Sequence, residues 1–146
     1  MSRFVAQGGA LDHLGTVDDA AMTAVEEILR LDGPVQIAAR IRHTPIEIGG
    51  VDVPAGRIII LVVAAANRDP DLFTDPQRLD FARNPNPHRA FGGGIHYCIG
   101  AALARLELRV ALRALAQLPG RVELAGSPRA RGSFTIRGLE SLNLRW

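Results

Sequence analysis

The stretch Phe91-Gly92-Gly93-Gly94-Ile95-His96-Tyr97-Cys98-Ile99-Gly100 sets the only cysteine of the chain between a glycine-rich loop and an apolar-periodic run. The three glycines allow backbone conformations closed to other residues and bring main-chain N–H groups close to whatever lies beneath them. Such a loop can press against a flat ligand. Beyond it, apolar residues recur at Ile99, Leu103, Leu106, Val110 and Leu115, with Arg105, Arg109 and Arg113 on another face. This pattern predicts an amphipathic helix that ends at Pro119-Gly120. Cys98 then stands at or just before a helix N-terminus, where the dipole and free N–H groups favour thiolate over thiol. The sulfur becomes a better ligand or nucleophile.

Other readings of these residues are open to comparison. A lone cysteine without context is usually an inert, buried hydrophobe. A Cys/His nucleophilic pair is a rival, but His96 and Cys98 are only two positions apart and nothing identifies an orienting third group. A zinc site needs more cysteines than one, or a helical His pair. The glycines miss the spacing of a dinucleotide fingerprint, since no third glycine follows Gly92 and Gly94 in place. The order Phe-Gly-x-Gly-x-His-x-Cys-x-Gly, however, resembles the haem-binding signature of the cytochrome P-450 monooxygenases. That resemblance implies a haem b cofactor (iron protoporphyrin IX) held by a loop that includes Gly92 and Gly100. Cys98 would be the proximal iron ligand, a role in which the thiolate pushes electron density toward the iron to favour O–O cleavage. His96 would hydrogen-bond a haem propionate, and Phe91 would pack near the sulfur.

At 146 residues the chain is about one domain, long enough to bury roughly two-thirds of its unfolded surface if compact. Its net charge of +2 rests on arginine alone, because it contains no lysine. The arginines are interleaved with acids, which argues against a basic patch for nucleic acid. One cysteine excludes an internal disulfide and fits a reducing cytoplasm. The longest apolar run, residues 58–66, is too short to span a bilayer, and the first residues lack the apolar core of a signal peptide. The expectation is a cytoplasmic protein that engages neither membrane nor nucleic acid.

Residues 1–15 carry no periodicity and read as a leader without a motif; residues 16–146 form the domain. Thr16-Val17-Asp18-Asp19 looks like a capping box opening a helix to about Leu31, closed by Gly33-Pro34. Glu27 and Arg30 share one face of that helix, and such a pair is commonly an exposed ion pair worth a few tenths of a kcal/mol. Some seventy residues before Cys98, though, Glu27-Ile28-Leu29-Arg30 is similar to the Glu-x-x-Arg motif of the K helix of cytochromes P-450. The resemblance implies a buried network completed by a later arginine, Arg83 or Arg78. Arg83 is preferred for its distance from Phe91, while Leu79 replaces the phenylalanine usual after the position of Arg78. Next, Val35, Ile37, Ala39 and Ile41 alternate with Gln36, Ala38, Arg40 and Arg42, predicting a half-buried strand. By resemblance Arg40 would pair with a haem propionate, for which a bidentate guanidinium is suited; the alternative is a solvated strand face. Ile46-Glu47-Ile48 and Val51-Asp52-Val53 around Gly49-Gly50 predict a tight hairpin. Residues 57–66 are nearly all apolar and fit a buried strand passing into a helical turn, two forms that periodicity does not separate. Residues 69–88 read as a long irregular meander. Residues 121–124 and 134–136 look like strands, and residues 138–146 resemble the closing strand of bacterial cytochromes P-450.

The fold class implied is α+β, the C-terminal part of the cytochrome P-450 fold: K helix, small β-sheet, meander, cysteine-ligand loop, L helix and C-terminal β-hairpin. Family members are roughly three times as long, and no segment here matches the I helix that delivers protons to bound oxygen. Three functions follow from the resemblance. One is a truncated monooxygenase domain that inserts oxygen into an organic substrate with electrons from a ferredoxin or reductase. Another is a haem-binding remnant without turnover. The last is one half of a split enzyme, completed by a chain supplying the I helix. Apolar residues that would face that helix should then lie exposed.

Overall fold

The structure, a computed structural model, describes residues 18–146. The expected cap at Thr16 and the leader at 1–15 lie outside the described residues. The first helix, α1, runs Asp18–Asp32 and is buried on two sides. On one, Ala24, Val25, Ile28 and Leu29 recur at helical spacing and pack against Leu112 and Val122 to form the core. On the other, Glu27 and Arg30 are enclosed by the meander of residues 69–88. The helix ends where Arg68 donates to the Leu31 carbonyl and Arg137 pairs with the Asp32 carboxylate, so a freed carbonyl and the last side chain are both met by arginines from elsewhere in the chain.

The strands of the described residues form four two-stranded antiparallel ladders. β1 (Ala38–Ile41) pairs with β4 (Ile58–Leu61), setting Arg40 opposite Ile59. β2 (Ile46–Ile48) and β3 (Val51–Val53) form the expected hairpin, with Gly49 and Gly50 at φ +57° and +78°, the conformation a two-residue primed turn requires. β4 passes into a single helical turn, α2 (Val63–Ala66). A 3-10 turn at Gly94–His96 lies within the glycine loop, and α3 (Ala101–Ala116) follows Cys98. β5 (Glu123–Leu124) pairs with β8 (Leu144–Arg145), and β6 (Arg129–Ala130) with β7 (Leu139–Ser141). No helix among the described residues is long and apolar enough to cross a membrane.

Several expectations need correction. The strand predicted from Val35 begins at Ala38, because residues 34–36 instead meet residues 135–137 through one isolated bridge and two backbone hydrogen bonds. Its faces are also reversed: Ala39 and Ile41 are exposed, and Ala38 and Arg40 are half-buried. The apolar run 57–66 does form a strand and a helical turn, but Ile58, Ile60, Leu61 and Val62 are exposed. Residues 134–136 form only the isolated bridge, the ladder strand at Arg129–Ala130 was not foreseen, and the closing strand divides at Leu142-Asn143.

The face of α3 is the largest correction. Ala101 and Leu112 are its buried residues, with Arg105, Leu108 and Leu115 half-buried beside them, whereas Ile99, Leu103, Leu106 and Val110 are exposed. The helix has two apolar stripes, and α1 takes the one that, of the residues picked out by periodicity, includes only Leu115. This partition is testable by urea unfolding. Leu112→Ala, at 0 % exposure, is expected to cost about 2–5 kcal/mol. Leu103→Ala, at 58 % exposure, should cost under about 0.5 kcal/mol; equal losses would contradict the assignment of faces.

Candidate functional site

Beneath the cysteine loop lies a fully buried carboxylate. Glu27 Oε1 and Oε2 accept from Arg30 Nη2 and Nε, both at 2.7 Å. Arg30 Nη1 also donates to the Asn67 and Pro76 carbonyls at 2.8 Å, and Nη2 to the Arg78 carbonyl at 3.0 Å. All five N–H donors of the guanidinium are thereby matched. Arg83 Nε lies 3.2 Å from both Glu27 oxygens, while the Asp80 backbone N–H and Asn86 Nδ2 donate to Glu27 at 3.0 and 3.1 Å. Arg83 is thus the second arginine at Glu27; Arg78 contributes its carbonyl and not its side chain. The buried Phe73 ring lies under the Arg30 and Arg83 guanidiniums, 5.1 and 5.9 Å from its centroid, a cation–π arrangement. The Glu27–Arg30 pair is therefore buried and not the superficial pair that spacing alone would allow.

Asn67 carries this network to the glycine loop. It is buried, its carbonyl accepts from Arg30, and its Oδ1 accepts the Arg89 backbone N–H at 2.7 Å. From Arg89 the loop closes on itself: Gly92 N–H donates to the Arg89 carbonyl at 2.9 Å and Cys98 N–H to the Phe91 carbonyl at 3.0 Å. Gly92 and Gly94 have φ of +72° and +60°, which a side chain would strain.

A second network, not foreseen from the sequence, clamps the loop to both helices. Glu26, next to Glu27 on α1, accepts two hydrogen bonds from Arg105 of α3 at 2.6 and 2.9 Å. His88 Nε2 lies 2.9 Å from Glu26, and its Nδ1 accepts the Ala90 N–H at 3.2 Å, so the neutral ring carries its proton on Nε2 and donates it to Glu26. Arg105 also donates to the Tyr97 hydroxyl at 3.0 Å and stacks over Phe91, 4.6 Å from the ring centroid. Burial pushes the Glu26 carboxyl up, and the His88 and Arg105 hydrogen bonds more than reverse this, holding it at about 2 against 4.5. No local motif marks Glu26, His88 or Arg105, because their positions are far apart in the chain. The one available signal was an arginine beside the apolar stripe of α3.

The expected site residues fall into two groups. Phe91, half-buried, packs against the core, and the exposed Cys98 sulfur sits beside Gly100, which caps α3. Arg40, Gly92 and His96 come together in a groove of about 380 Å³. Leu61, Val62, Val63 and Ala66 supply its apolar side, and Gly93 and Arg89 complete it near the loop. Cys98 itself is two residues beyond His96 and outside the groove's lining. Arg40 donates one N–H to the Ala39 carbonyl at 2.8 Å, which leaves the rest of its fork available.

The family model described as cytochrome P-450 matches residues 21–118. The chain belongs to the cytochrome P-450 family. It is 52 % identical over 130 residues to nocardicin C N-oxygenase of Nocardia uniformis, a match to 85 % of this chain and 32 % of the relative. It is 45 % identical over 125 residues to the biotin biosynthesis cytochrome P-450 of Bacillus subtilis, again 85 % of this chain and 32 % of the relative. The crystal structure of the cytochrome P-450 OxyD, involved in the biosynthesis of vancomycin-type antibiotics, superposes with a TM-score of 0.88 at 37 % identity, covering 99 % of this chain and 38 % of that one. The chain thus spans about a third of the length of the curated relatives it matches, with an α+β fold shared with solved cytochromes P-450. Membership implies a haem cofactor.

Two measurements probe the networks. Glu27→Ala strands two guanidiniums in the interior and is expected to lower the unfolding free energy by about 3–5 kcal/mol, against under 1 kcal/mol for an exposed pair. For Glu26 the folded-state value lies below the unfolded one. Its contribution is therefore fully present above pH about 4.5 and lost as pH falls toward about 2. Glu26→Gln should flatten the stability profile across that interval, and an unchanged acid limb would contradict the clamp.

Proposed function

We propose that this chain is the haem-thiolate part of a cytoplasmic cytochrome P-450 monooxygenase, with haem b as its cofactor and Cys98 as the axial iron ligand. The observation that carries the reading is an exposed sulfur on a loop fixed by buried ion pairs, adjoining a cationic groove. The donor set suits the group: a soft anionic sulfur for iron, glycines where a flat macrocycle must approach closely, and cations for its carboxylates. Arg40 and His96 hold a propionate. Phe91, beneath Arg105, packs near the sulfur and keeps water from that side. Asn67, Arg83 and the Glu27–Arg30 pair keep the loop in one conformation. When bound, the haem supplies activation of dioxygen and insertion of one oxygen atom into an organic substrate, with electrons from a ferredoxin or reductase.

A second reading rests on the exposed stripe Ile99, Leu103, Leu106 and Val110 and on the third of its relatives' length that the chain spans. On it, this body is the proximal part of an assembly that needs the remaining two-thirds of the family fold, from the same polypeptide or from a partner chain, before turnover. A haem-binding remnant without turnover would share the same proximal platform.

The reduced, carbon monoxide-bound difference spectrum of the haem-reconstituted chain tests this. A red-shifted Soret band of the thiolate kind is expected, lost in Cys98→Ser while the helical circular dichroism is retained. A thiolate band persisting in that variant would overturn the axial assignment. No band from the parent chain would overturn the haem-thiolate reading for this body.

A further inference from the structure

Arg89 is a cation that neither the sequence signature nor the buried networks use. Its backbone is fixed on both sides: the N–H is held by Asn67 Oδ1 at 2.7 Å, the carbonyl receives the Gly92 N–H at 2.9 Å, and the neighbouring His88 is bonded to Glu26. Its side chain is exposed and lines the same groove as Arg40 and His96, with Nη1 3.9 Å from where a side chain on Gly93 would begin. Among the described residues no carboxylate lines that groove, and no hydrogen bond or ion pair holds the Arg89 guanidinium. Two guanidiniums and an imidazole therefore face one space with no internal anion to balance them. Charge of one sign gathered on a fixed backbone around an apolar-walled groove is an arrangement for an anionic ligand. A fork-shaped donor favours a carboxylate.

We propose that Arg89 holds a second carboxylate of the planar ligand in this groove, alongside the one that Arg40 and His96 receive. The inference rests on the haem reading above and deepens it: two carboxylates on one macrocycle edge are matched by two separate guanidiniums, one from β1 and one from the cysteine loop itself. Arg89 thereby links the ligand's edge to the buried Glu27–Arg30 pair through Asn67. The chain anchors its ligand and its loop through one residue.

The test is equilibrium titration of the purified chain, followed at the Soret band, with haem and with haem dimethyl ester, whose carboxylates carry no charge. Arg89→Leu is expected to weaken haem binding about tenfold and to leave the ester unchanged, with Arg89→Lys recovering part of the loss. Raising the salt concentration should weaken haem binding more in the parent than in Arg89→Leu. Equal haem affinity in parent and Arg89→Leu overturns the proposal while the haem reading stands. Equal losses for both porphyrins also overturn it, since Arg89 would then act by packing. A parent chain that takes up neither porphyrin overturns the haem reading itself. The urea midpoint of each variant, expected to match the parent because the side chain is exposed, separates binding from folding.

Discussion

The Glu27–Arg30 pair is buried completely, and that burial dictates much of what surrounds it. Two charges withdrawn from water destabilise a fold unless every remaining donor and acceptor is met. Here the partners come almost entirely from segments without regular structure: the carbonyls of Asn67, Pro76 and Arg78, the Asp80 N–H, Arg83 and Asn86. A meander of some twenty residues lacks its own ladder of hydrogen bonds to select one conformation. The ion pair selects it instead, because any other path of the meander strands a charge. The same pair reaches the cysteine loop through Asn67, so the position of Cys98 follows from the satisfaction of Arg30.

The two adjacent glutamates divide the work by their phase on α1. Glu27 faces the meander and is enclosed. Glu26, one residue earlier and about 100° around the helix, reaches α3 through Arg105 and the loop through His88. One helix thus holds the loop at its approach, through Asn67 and His88, and at its exit, through Arg105 and Tyr97. Phe91 lies between these holds, with Arg105 over its face and Tyr97 at its edge. A ligand bound at Cys98 would meet a loop whose reorganisation has already been prevented by folding, as preorganised sites require.

What could be read in the sequence was local. The cysteine loop, the hairpin at Gly49-Gly50 and the helix carrying Glu27 and Arg30 announce themselves through turn chemistry and short spacings, and the structure forms the hairpin and both helices. The later arginine at Glu27 was narrowed to Arg83 or Arg78 by resemblance, but the choice between them turns on which side chain is aimed inward. Glu26, His88, Arg105 and Asn67 were not legible, since each works through a partner 22 to 79 positions away and no short-range pattern encodes such a pairing. The terminal strands failed for a related reason: ladders of two or three residues have no periodicity to detect.

The faces of β1 and α3 failed in a more informative way. Periodicity identifies an apolar stripe, and burial requires that something cover it. On α3 the stripe of Leu103, Leu106 and Val110 is as apolar as the one that meets α1, and Ile41, Ile58 and Ile60 repeat the pattern on the first ladder. Helices apolar on two sides belong to the interior of larger folds. Monomers rarely leave so much apolar surface in water, and the likeness to cytochromes P-450 spans about a third of their length. Surface composition and the span of the match therefore favour the reading proposed above, in which this body would form one side of a haem pocket. The groove at Arg40, Arg89 and His96 draws cations, an apolar side and glycines from the described residues. On the proposed reading, anchoring of a haem and chemistry upon it would be separable, the first drawing on this groove and the second on what covers the exposed face of α3.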